Sequence, residues 1–67
     1  MEIFFNNHLQ QIKEQTTILH LLDQLMNNKQ NGIAVAINET VIPKGQWGTY
    51  LLQPNDKVLV IKATQGG

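Results

Sequence analysis

Residues Lys57-Val58-Leu59-Val60-Ile61-Lys62 are apolar at both parities, with a lysine at each end. A strand with one wet face alternates polar and apolar; one that is apolar on both faces belongs in the middle of a sheet. The run is far shorter than the ~20 residues needed to span a bilayer. The rest of the chain therefore has to supply neighbours for both edges of this strand and a cover for at least one face. It has 67 residues in which to do so, enough for one domain. A domain of this size buries only about 60% of its unfolded surface. Cysteine is absent, which excludes disulfides and thiolate metal sites. The core has to be aliphatic, and 42% hydrophobic residues suffice.

Candidate neighbours are visible along the sequence. Glu2-Ile3-Phe4-Phe5-Asn6 reads as a strand with Ile3 and Phe5 on one face and Phe4 on the other. Asn6-Asn7 suits a tight turn, and a weaker strand follows through His8–Ile12, which makes an N-terminal hairpin. Thr17 is placed to cap a helix. Behind it Ile18, Leu21, Leu22 and Leu25 form an apolar stripe at i, i+3, i+4 and i+7. His20, Asp23, Gln24 and Asn27 fall on the opposite face. About three turns of helix end near Asn31 or Gly32, either of which can adopt a left-handed conformation. Ile33-Ala34-Val35-Ala36-Ile37 alternates large with small, a strand with one thick and one thin face. Asn38-Glu39 turns the chain into a short return strand, Thr40–Ile42, closed by Pro43. Lys44–Tyr50 reads as a loop or short helical turn, with Trp47 either capping one end of the core or serving as an interface anchor. Gln53-Pro54-Asn55-Asp56 is a turn. Strand, strand, helix, strand, short strand, strand describes an α+β domain of the β-grasp type. Its mixed sheet would have four to five strands and one helix across one face. The expectation is a single domain over 1–67, with an ordered body of about 1–62 and a flexible tail at 63–67.

Function classes fall away quickly. Five lysines balance five acidic residues and arginine is absent, so there is no basic stripe for nucleic acid. The N-terminus shows no basic leader, no segment suits a membrane, and the expected location is the cytoplasm. A domain this small has little room for a catalytic cleft. No phosphate-cradling loop or nucleophile elbow is present. His8 and His20 have no metal-ligand spacing and read as solvated. Asp23 and Asp56 have no partner that the sequence identifies and fit a helix surface and a turn. If Ile3, Phe5, Val58 and Val60 face the helix, then Phe4, Leu59 and Ile61 emerge on the other sheet face. That patch is either a docking surface or the ground over which the tryptophan loop folds. The chain stops at Gly66-Gly67, an ending expected by chance in roughly one chain in two hundred. On a tail of four or five residues it would reach about 13–17 Å from the body. Two glycines make a slender neck, and a terminal carboxylate delivered that way can be activated in another protein's active site.

These residues resemble the ThiS-type sulfur carriers of thiamin thiazole biosynthesis, relatives of ubiquitin and of the small subunit of molybdopterin synthase. The resemblance covers the whole chain. It rests on Met1-Glu2-Ile3-Phe4-Phe5-Asn6, on Thr17-Ile18 with Leu21, Leu22 and Leu25, and on Ala36-Ile37-Asn38 followed by Val41-Ile42-Pro43-Lys44 and Trp47. Asp56 and Gly66-Gly67 complete it. The family commonly has Arg where Lys44 stands; Lys keeps the charge without the guanidinium fork. It also has Gly before the Asp56 position and a small apolar residue at the place of Gln65. The resemblance implies a carrier that is not itself an enzyme. An E1-like adenylating enzyme of the ThiF type would use ATP to activate Gly67, and a persulfide donor would convert it to a thiocarboxylate. A thiazole synthase of the ThiG type would take the sulfur. Gly66 and Gln65 would thread the tail, Phe4, Leu59 and Ile61 would dock partners, and the chain itself would bind no cofactor. Alternatives are a molybdopterin synthase small subunit, a ubiquitin-like protein modifier, or an interaction domain whose tail is inert.

Overall fold

Two-residue turns close both hairpins of the sheet, and all four turn residues have positive φ. Asn6 and Asn7 stand at 50° and 69°, Asn38 and Glu39 at 50° and 73°. This is the type I′ arrangement, whose backbone twist matches that of the flanking strands. The computed structural model describes residues 1–26 and 32–62. The first turn joins β1 (Glu2–Phe5) to β2 (His8–Gln11), and the second joins β3 (Ile33–Ile37) to β4 (Thr40–Ile42). Helix α1 (Ile18–Met26) lies between the hairpins in sequence. A 3-10 turn (Lys44–Gln46) and the last strand, β5 (Lys57–Lys62), follow.

The sheet order is β2-β1-β5-β3-β4. Strand β5 is central, as its two apolar parities require. It runs parallel to β1, with Phe4 opposite Lys57 and Phe5 opposite Val58. It runs antiparallel to β3 from Ile33 opposite Lys62 to Ile37 opposite Val58. The turn before it has Pro54 at its second position and Asn55 at φ 68° in its third, a type II pattern.

The helix covers one face only. Ile18, Leu21 and Leu22 are buried with Ile3, Val35 and Val58 beneath them. Leu25 departs from the expected stripe: it is 38% exposed, and Met26 packs on the core in the last described turn. Residues 27–31, where the sequence places the end of the helix before Gly32, lie outside the described residues; Gly32 itself has φ 71°. At the other end, the first three N–H groups of the helix, which have no intrahelical partner, find acceptors. Ile18 N–H donates to Tyr50 O (3.1 Å) and Leu19 N–H to Trp47 O (3.0 Å), while His20 N–H donates to Thr17 Oγ1 (3.2 Å).

That docking decides where the tryptophan segment goes. Trp47 is buried on the helix side of the sheet, and its indole N–H donates to Ile42 O at 2.9 Å. It seals the core and does not fold over the opposite face.

Asp56 corrects the sequence reading, which found it no partner. It is buried, and its two carboxylate oxygens accept from Asn38 Nδ2 (3.0 Å) and Gln53 N–H (2.8 Å). Asn38 Oδ1 accepts in turn from Lys57 N–H (3.0 Å). The Asp56 carbonyl accepts from Phe4 N–H at 2.9 Å. One carboxylate thus clamps the β3–β4 turn to the entrance of β5. Asp56→Ala strands these donors and is expected to destabilise the fold by about 1–3 kcal/mol, read as a lower urea midpoint; a midpoint equal to the parent's would refute the clamp.

Candidate functional site

The face of the sheet opposite the helix is assembled by register. Phe4 pairs with Leu9, Ala36 pairs with Leu59 on one side and Val41 on the other, and Ala34 pairs with Ile61. Residues directly opposite one another in a sheet share a face. Phe4, Leu59 and Ile61 therefore emerge together, 36%, 44% and 52% exposed. Ile3 and Val58 are buried on the helix side, and Phe5 and Val60 are half-buried against the core.

The face is wider than the three residues singled out from sequence. Leu9 and Val41, 57% and 67% exposed, extend it to both outer strands. Both were within reach of sequence reasoning. A two-residue turn at Asn6-Asn7 puts Leu9 opposite Phe4, and one at Asn38-Glu39 puts Val41 opposite Ala36. Among the described residues nothing covers this face. An apolar surface running across five strands of a small domain is a candidate docking site.

The alanines of β3 give the face its relief. Ala36 forms the floor of a depression of about 220 Å³ walled by Phe4 and Leu59, with Asn7, Glu39 and Lys57 around it. A more open depression of about 260 Å³ lies between Met1, Glu14, Gln15 and Leu51–Pro54. Glu14 is the only acidic or basic side chain lining it, so no acid–base pair is assembled there. Among the described residues no group of three or more His, Asp or Glu side chains is placed to hold a metal ion. His8 and His20 are exposed. No described helix is long and apolar enough to cross a membrane.

Beyond Phe5 the two edges of β5 differ. On the β3 side pairing continues to Lys62. On the other side β1 has ended, but Asn6 N–H still donates to Val58 O at 2.8 Å. The Asn6 side chain then bends back so that its Oδ1 accepts from Val60 N–H, also at 2.8 Å. Gln65, Gly66 and Gly67, the tail residues expected to carry the chemistry, lie outside the described residues. Lys62 is the last described residue before them.

Comparison with known proteins follows this geometry closely. The ThiS family model matches residues 3–67. The sulfur carrier protein ThiS of Escherichia coli (strain K12) is 36% identical over 67 residues, which is the whole of both chains. The crystal structure of the thiamine biosynthesis protein ThiS from Geobacter metallireducens superposes with a TM-score of 0.87. It covers 100% of each chain at 19% identity, and so speaks to the fold.

The two faces predict opposite responses to substitution. Leu59→Thr on the open face is expected to leave unfolding free energy within about 0.5 kcal/mol of the parent. Leu21→Ala beneath the helix should cost about 2–5 kcal/mol. Chemical denaturation of both variants checks this, and comparable losses would mean that the open face is packed.

Proposed function

The chain belongs to the ThiS family, and from that premise we propose that it is a sulfur carrier whose cargo rides on the carboxylate of Gly67. One observation carries this reading: the family match runs through the terminal Gly66-Gly67 of a chain that has no cysteine. Sulfur held by such a protein needs another electrophilic or nucleophilic atom, and the slender Gly-Gly terminus offers one.

The chemistry balances as follows. A Gly67 carboxylate oxygen attacks the α-phosphorus of ATP held by an adenylating partner, and pyrophosphate leaves. The acyl adenylate has a good leaving group where the free acid had a poor one. A persulfide sulfur attacks the carbonyl carbon and AMP departs. A second thiol, supplied by a partner because this chain has none, then reduces the S–S bond and leaves one sulfur on Gly67 as a thiocarboxylate. A thiazole-forming synthase takes that sulfur. The chain is the co-substrate in each step and catalyses none. ATP is bound by the partner, and Gly66 and Gln65 pass through its channel.

The open face is the surface by which partners hold the carrier. Phe4, Leu59 and Ile61 lie on the strand that leads to the terminus and on its neighbour, so a partner that grips them also fixes where the chain leaves the body. Partial exposure leaves stabilisation unused, because fully burying a side chain of this class contributes about 1.5–3 kcal/mol. A small subunit of molybdopterin synthase would share this fold and chemistry with another client. Membership of the ThiS family favours the thiazole client.

Two experiments test the proposal. Intact mass after incubation with adenylating enzyme, ATP and a persulfide source should show one oxygen replaced by sulfur. A variant lacking Gly67 should show no change, and an unmodified parent with competent partners would sink the reading. Stable conjugates to protein lysines through Gly67 would instead identify a modifier. Replacing Phe4 and Leu59 together with alanine should raise KM for the adenylating enzyme by about tenfold or more, as loss of anchor residues does, with kcat preserved.

A further inference from the structure

We propose that Asn6 is a positioning residue for the terminal carboxylate, acting by holding the exit of β5 in line; this rests on the carrier reading above. Odd-numbered residues of β5 turn their backbone groups towards β3, as the Lys57 carbonyl does in accepting from Asn38 N–H. Even-numbered ones face β1, as the Val58 carbonyl does in accepting from Asn6 N–H. At Val60 the neighbouring backbone has already turned away into the hairpin, and Asn6 Oδ1 takes the place of the missing carbonyl. The bond links residues 54 positions apart in sequence. Without it, β5 from Val60 onward would be paired on the β3 side alone.

The residue type fits both demands of the position. Its φ of 50° suits Asn, Asp or Gly. Gly would satisfy the turn and leave Val60 N–H without an acceptor, whereas Asp would satisfy both. The turn alone does not require a side chain that reaches across to β5. Its effect lies on direction: Val60, two residues before the last described residue, is held at both edges of β5, and a reacting atom displaced by about an ångström can lose up to about a hundredfold in rate.

Asn6→Gly and Asn6→Asp in the full chain separate these roles. Amide exchange at Val60, followed by NMR, reports the bond without any partner. Pyrophosphate release with the adenylating enzyme reports kcat and KM. In Asn6→Gly, Val60 exchange should accelerate by about tenfold or more and kcat should fall about tenfold. KM, set by the sheet face, should stay within about twofold, and Asn6→Asp should recover both quantities. Replacing Val60 by its α-hydroxy acid removes the donor from the other side and should reproduce the loss in kcat, even if Asn6→Gly fails to fold. Faster exchange with unchanged kcat, a rise in KM alone, or an Asn6→Asp variant no better than Asn6→Gly would each overturn the role. A parent chain that releases no pyrophosphate would refute the carrier reading itself and this role with it. An active parent with an unaffected Asn6→Gly refutes the role of Asn6 alone.

Discussion

Everything in this domain depends on the pairing of β5 at both of its edges. The N-terminal hairpin and the middle hairpin do not pair with each other; each is joined to the sheet through β5, one in parallel and one in antiparallel register. An isolated two-stranded hairpin is marginal in water, and a short helix, nine residues of which are described, does not persist alone. None of the three pieces is stable by itself. The strand that joins them also supplies Val58 to the core and Leu59 and Ile61 to the open face, so the two faces draw on alternate residues of one segment.

The two faces divide the apolar side chains between a buried core and an open surface. On the helix side, large side chains from β1, β3 and β5 meet Ile18, Leu21 and Leu22, with Trp47 closing the end. On the other, Ala34 and Ala36 keep the middle of the surface low while Phe4, Leu59 and Val41 stand above it. The polar bonds serve the same division. Asp56, Asn38 and the Trp47 indole fix turns and loops to the core side, whereas on the opposite face Gln11 Nε2 donates to Glu2 Oε2 at 3.2 Å at the end of the β1–β2 ladder.

Much of this was legible in the sequence because it is local or periodic. Asn-rich pairs between alternating segments announce hairpins, Thr17 with the stripe behind it announces a capped helix, and a run apolar on both faces announces a central strand. The features that escaped depend on contacts between distant segments. The carboxylate of Asp56 meets Asn38 across 18 positions, and no spacing rule connects a turn aspartate to a hairpin asparagine. Leu25 belongs to the stripe by angle, yet the structure gives the core position in the last described turn to Met26. Leu9 and Val41 required the register of each turn to be carried through to the facing strand. The destination of Trp47 followed from the helix N-terminus, whose first amides draw the 47–50 segment to that side.

Placing the uniting strand at residues 57–62 has a consequence for how the molecule comes into being. During translation both hairpins and the helix emerge before the segment that binds them together. They have no complete sheet to join until β5 is free, and the parallel pairing with β1 spans nearly the whole sequence. Long-range parallel contacts of this kind form slowly relative to local ones. The nascent chain therefore exposes unpaired strand edges and apolar faces until late in synthesis, when such surfaces are open to wrong partners. Folding becomes a single closing event, in which the core is sealed and the segment leading to the terminus is fixed by the same strand.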